Sequence, residues 1–214
     1  MSDVFREVDE AVREDQIKRF MNRYGVLVGI ALVVIVVGIG GWQFWKSWHH
    51  DQQVEASDAY AAAMLAARTG KTTEALDALG KLSDPAGGEV GTLAALAQAR
   101  ILMGEGQRDE AIKLWDAVAA SDASGPVYQD VALLLSVMHQ VGRAPSQALS
   151  DRLAPLAAAG EPFRPLAQEL QALLALDSGD SASARVLLEG LRDDPETTAE
   201  QKERVTQLLA MLPG

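Results

Sequence analysis

The run Gly104-Glu-Gly-Gln-Arg-Asp-Glu-Ala-Ile-Lys-Leu-Trp115 opens on a glycine turn and continues with Ala111 and Trp115 on one helix face. A helical run precedes it and a Gly/Pro-containing break follows. The same grammar recurs around Thr69-Gly-Lys71, Val141-Gly-Arg143 and Ser178-Gly-Asp180. Taking Gly70, Gly106, Gly142 and Gly179 as markers, the spacings are 36, 36 and 37 residues. A period of this size built from helix pairs marks an α-solenoid. One pair cannot bury its own apolar face, so neighbours must stack. No strand pattern is evident, and the fold class is all-α.

These units resemble tetratricopeptide repeats. That pattern places a small residue in the first helix, Gly at the turn, Ala five residues later, then a large apolar residue. Ala63, Gly70, Ala75 and Leu79 fit it, as do Ala99, Gly106, Ala111 and Trp115, and Ala172, Gly179, Ala184 and Leu188. The third unit departs from it. Leu135 replaces the small residue, Gln147 stands where Ala is expected, and Ala148 comes one place late. Its helix pair is expected to pack at a shifted angle. Asp84-Pro85 and Asp194-Pro195 end units, because Pro disfavours helix at the residue before it. Thr197 to Met211, with Val205, Leu208 and Leu209 on one face, reads as a capping helix.

Working back toward the N-terminus, Tyr24 to Trp45 is a different kind of segment. From Val26 to Trp42 it carries no charge and no strongly hydrogen-bonding side chain. About 20 such residues match a hydrocarbon core roughly 30 Å thick. The expectation is one transmembrane helix. Arg6, Arg13, Lys18, Arg19 and Arg23 precede it, and Lys46 is the only Lys or Arg between it and Arg68. That bias orients the N-terminus to the cytoplasm, and Tyr24, Trp42, Phe44, Trp45 and Trp48 suit the two headgroup layers. Gly38-Ile-Gly40 is a poor cleavage site because bulky aromatics follow at once, so the helix reads as an uncleaved anchor. The expected layout is a cytoplasmic tail at 1–23, the transmembrane helix at 24–45, a juxtamembrane connector at 46–58, and a periplasmic repeat domain at 59–214. Val4, Val8 and Val12 give the tail an apolar stripe, which fits either a docking helix or a solvated extension of the span.

Composition narrows the function. From Asp51 onward there are 13 Lys and Arg against 24 Asp and Glu, which repels nucleic acid and anionic headgroups. There is no cysteine, so disulfides and thiol chemistry are out. His49 and His50 are adjacent, point in different directions on a helix, and find no third ligand at helical spacing, so no metal is expected. Ser136 and His139 lie three apart without the sharp turn and oxyanion donors that acyl transfer needs. No enzyme and no cofactor are expected.

Binding is the remaining class. In repeats of this kind the first helices line a concave groove. Registering the units on their glycines places Tyr60, Arg68, Arg100, Ser136, His139, Gln140 and Glu169 on or near that face. A mixed polar groove with two Arg suits an extended peptide. Within the span, Gly25 and Gly29 form a small-xxx-small pair able to seat another membrane helix.

The whole layout is similar to the YfgM-like ancillary subunits of the bacterial SecYEG translocon. The resemblance rests on the tail Val4-Phe-Arg-Glu-Val-Asp-Glu-Ala-Val-Arg-Glu-Asp-Gln16, Arg-Tyr-Gly entering the span and Trp-Gln-Phe-Trp leaving it. Degenerate repeats with Pro162-Phe-Arg-Pro165 opening the last unit complete it. It implies an inner-membrane protein whose periplasmic repeats work beside the translocon with a membrane-anchored chaperone, assisting client polypeptides as they emerge. A structural role, as an adaptor organising cell-envelope or division complexes, is the second class that such repeats leave open.

Overall fold

In the computed structural model, residues 54–212 are described, and all their regular structure is helical. Helix α1 occupies 54–68, followed by α2 (Thr72–Leu82), α3 (Glu89–Gly104), α4 (Arg108–Ala119) and α5 (Pro126–Met138). Then come α6 (Ser146–Leu153), α7 (Arg164–Asp177), α8 (Ser181–Asp193) and α9 (Ala199–Met211). The anticipated membrane helix at 24–45, the cytoplasmic tail, and Gly25 and Gly29 lie outside the described residues. Among the described residues no helix is long and apolar enough to cross a membrane.

Helices α1/α2, α3/α4 and α7/α8 are pairs joined by one turn chemistry. Gly70, Gly106 and Gly179 sit at φ of 79°, 77° and 81°, a left-handed conformation that disfavours a Cβ. In each turn the amide after the glycine donates to a carbonyl five residues back: Lys71 to Ala66, Gln107 to Leu102, Asp180 to Ala175. The glycine amide donates to the carbonyl three residues back, closing a Schellman cap. The residue after the glycine then starts the next helix. Carbonyls of Lys71, Gln107 and Asp180 accept from Ala75, Ala111 and Ala184. One glycine thus ends a helix and begins its partner within three residues.

Small residues set how closely the paired helices approach. Ala63, Ala75, Ala99, Ala111, Ala172 and Ala184 are all buried, with Leu79, Trp115 and Leu188 filling the next layer. Each helix packs mainly on its neighbours in sequence, so the core is a chain of linked clusters rather than one centre. Polar links repeat with roughly the same stride. Ser121 Oγ donates to the Pro85 carbonyl at 3.0 Å, and Thr92 Oγ1 donates to Ser124 Oγ at 3.1 Å. Arg164 pairs with Asp194 and Glu196, each at 2.6 Å. These contacts hold the Arg164 guanidinium above its ordinary pKa and the Asp194 carboxyl below its own.

The third pair, α5/α6, is built differently. Gly142 is also left-handed, at φ 73°, but the Schellman bonds are missing and the turn extends from His139 to Pro145. Pro145 is the residue that starts α6, and its carbonyl accepts from the amide of Leu149. Leu149 therefore occupies the place of Ala75, Ala111 and Ala184. It lies seven residues after the glycine instead of five. The sequence reading put Ala148 in that role. The structure corrects it: Ala148 is exposed, and Leu149 and Leu153 are buried. With Leu135 in the first helix and Leu149 in the second, α6 packs less extensively on α5 than on α7.

Helix α9 closes the stack. Thr198 caps it by accepting from the Gln201 amide at 3.3 Å. Val205 is fully buried against Leu188 and Leu191, with Leu208 and Leu209 packed alongside.

Candidate binding groove

The first helices of successive pairs, α1, α3, α5 and α7, share one face, and two cavities of about 450 Å³ each open along it. The first is lined by Tyr60 and Met64 of α1, Leu93, Leu96 and Arg100 of α3, Trp115 of α4, Val131 and Leu135 of α5, and His139 just after it, with Ala97 and Met103. The second is lined by Val131, Leu134, Leu135 and Met138 of α5, by Phe163, and by Leu166, Glu169, Leu170 and Leu173 of α7. Arg204 of α9 completes it. Val131 and Leu135 belong to both, so the cavities form one groove divided by a low apolar ridge.

Leu135 is only half-buried and stands into the groove between the two cavities. Met138 and Leu166 nearby are 45% and 42% exposed and adjoin the apolar lining of the second cavity, giving a contiguous apolar surface.

The glycine register brings some of the anticipated residues together and scatters others. Tyr60, Arg100 and His139 line the first cavity and Glu169 the second. Arg68 is exposed near the end of α1 and lines neither cavity. Ser136 and Gln140 turn the other way. Buried Ser136 donates to Asp116 Oδ1 of α4 at 2.5 Å and accepts from Gln140 Nε2 at 2.8 Å. Arg152 of α6 donates to the same Asp116 oxygen at 2.6 Å. This network ties α4, α5 and α6 together where their apolar packing is thinnest. Its members serve the stack rather than the groove.

Electrostatics differ along the groove. His139 stacks on Trp115, with ring centroids 5.0 Å apart and planes 13° from parallel. Burial, and then the charge of Arg108, lower its pKa and favour the neutral imidazole. Trp115 is buried beneath it, its Nε1 without a hydrogen-bond partner among the described residues. At the other end Glu169 is fully engaged: Oε1 accepts from Arg204 at 3.0 Å, and Oε2 from Arg204 and Gln201, both at 2.9 Å.

The apolar lining was the feature sequence reasoning underweighted. Leu166, Leu170 and Leu173 are spaced for one helix face, as are Val131, Leu135 and Met138. Helices α5 and α7 therefore carry more apolar surface than one buried stripe requires, and that excess was the available signal. Among the described residues no group of acidic or histidine side chains is placed to hold a metal ion.

Residues 18–207 match the family model of the tetratricopeptide repeat-like domain. Comparisons with curated proteins and with solved structures each give no match. With most of its length covered by that model and helix pairs turning on left-handed glycines, the chain belongs to the tetratricopeptide repeat-like domain family.

Proposed function

We propose that this protein is a membrane-anchored periplasmic scaffold that holds partner proteins at the SecYEG translocon, with a membrane-anchored chaperone and emerging client chains as its neighbours. The observation that carries the binding role is the continuous apolar groove across α1, α3, α5 and α7 in a domain of the repeat class associated with protein–protein interaction. The apolar run from Val26 to Trp42 and the basic residues before it support the anchor and its orientation. Likeness to the YfgM-like subunits supports the location at the channel.

Tethering suits a groove of modest depth. Fixing a weak binder at the membrane face raises its effective concentration for anything emerging there, to the order of millimolar for short linkers. The acidic surface of the repeat domain keeps it off anionic headgroups, so the groove stays available.

The test is a mild-detergent pull-down with the whole chain and with a chain lacking residues 1–45. The whole chain is expected to recover translocon subunits and a periplasmic chaperone, and the truncated chain to lose most of the translocon signal while remaining soluble and helical. Recovery of division or wall-assembly proteins in their place would favour the adaptor role.

A further inference from the structure

The groove's two halves carry different charge, and the inference drawn from this rests on the binding role proposed above. In the α1–α3–α5 half, Arg100 borders an apolar floor, and among the described residues no carboxylate lines the cavity. The Arg100 side chain makes no ion pair or hydrogen bond among the described residues. In the α5–α7 half a carboxylate is present, but Arg204 and Gln201 already satisfy both oxygens of Glu169. Among the described residues the groove therefore holds one cation without a paired carboxylate, in a chain whose residues from Asp51 onward carry 24 acidic against 13 basic side chains.

We propose that the α1–α3–α5 half selects a segment of a partner polypeptide in which a large apolar side chain adjoins an Asp or Glu. The carboxylate meets Arg100, the apolar side chain packs against Met64 and Leu96, and the chain crosses Leu135 to place a second apolar residue in the other half. The domain's overall negative field opposes an acidic ligand, but at physiological salt that field is screened within about 8 Å. A contact at hydrogen-bond distance is screened far less, and guanidinium–carboxylate hydrogen bonds are among the stronger polar contacts. Local pairing therefore outweighs the distant repulsion. A Lys-bearing segment meets the opposite balance: general attraction and contact repulsion from Arg100.

The full chain in phosphatidylcholine nanodiscs is titrated into three fluorescein-labelled peptides. They share one Leu/Phe frame and differ only in a single Asp, Asn or Lys beside the first apolar residue, and empty nanodiscs are the control. The Asp peptide is expected to bind about fivefold or more tighter than the Lys peptide. Arg100→Glu, at an exposed position, should reverse that order while changing binding of the Asn peptide less than about twofold. Equal binding of all three peptides, or an R100E effect common to all three, would overturn charge selection and leave the groove's role standing. No binding above empty nanodiscs for any peptide would overturn both.

Discussion

The second and third helix pairs are built to the same plan with opposite choices at the crossing. In α3/α4, Ala99 and Ala111 are both fully buried, Gly106 makes a Schellman turn, and Trp115 fills the layer behind. In α5/α6 Leu149 takes the place of Ala111, the turn is seven residues long (139–145) instead of three, and a polar network of Asp116, Ser136, Gln140 and Arg152 supplements the packing. The first pair spends its side chains on closeness. The second keeps a leucine for the groove.

That contrast can be broken most severely at Trp115. Trp115→Ala should destabilise a 46–214 fragment by about 3–5 kcal/mol, since it empties the core of the second unit. Trp115→Phe should cost under about 1.5 kcal/mol beyond its lost volume, because Nε1 has no hydrogen-bond partner among the described residues. Urea unfolding followed by circular dichroism measures both, and a cost for the Phe variant equal to that of Ala would mean the indole nitrogen has a partner after all.

Exchanging the crossing residues comes next. Ala99→Leu should overpack the close pair and cost about 1–3 kcal/mol. Leu135→Ala should cost less than about 1.5 kcal/mol, since the side chain is only half-buried, yet weaken ligand binding several-fold. Equal destabilisation by the two variants would show that the third pair is packed as tightly as the second.

The network sharpens the comparison at a smaller scale. Ser136→Ala should lower stability by about 0.5–1.5 kcal/mol, as Asp116 retains Arg152. A neutral result would mean that α6 is held by its leucines alone.

The smallest expected effect concerns pH. The lowered pKa of His139 means the folded chain holds fewer protons there than the unfolded chain. Stability from this residue is therefore full above the ordinary histidine value of about 6.5 and lost as pH falls below it toward the lowered folded value. His139→Gln should flatten stability across that acidic window, on top of a pH-independent loss of about 0.5–1.5 kcal/mol from the Trp115 stack. A variant that parallels the parent at every pH would remove the burial argument.

How much of this was legible depends on which feature anchored the register. Glycine at positive φ is a backbone requirement that sequence shows directly, and Gly70, Gly106, Gly142 and Gly179 all adopt it. Buried alanines followed from that register in three units. In the third, two residues added after Gly142 moved the start of α6 to Pro145, and Ala148 imitated a small residue arriving one place late. Only the hydrogen bond from Leu149 to Pro145 reveals the true offset. The groove was read through its polar residues because those carry recognisable chemistry. Ser136 and Gln140 then proved to face α4 and α6, while the apolar lining went unremarked because leucine on a helix usually signals core. Which leucine faces a groove is settled by the neighbouring helix, which no local pattern contains.

The most direct test of the groove as a partner-binding surface is in-cell photo-crosslinking from single positions of the whole chain. A photoreactive residue at Met138 or Leu166, exposed within the groove, should capture protein partners, with translocon or chaperone adducts foremost. The same residue at Lys113, exposed on α4 and outside both cavities, should capture few. Strong adducts from Lys113 with none from Met138 and Leu166 would contradict the account.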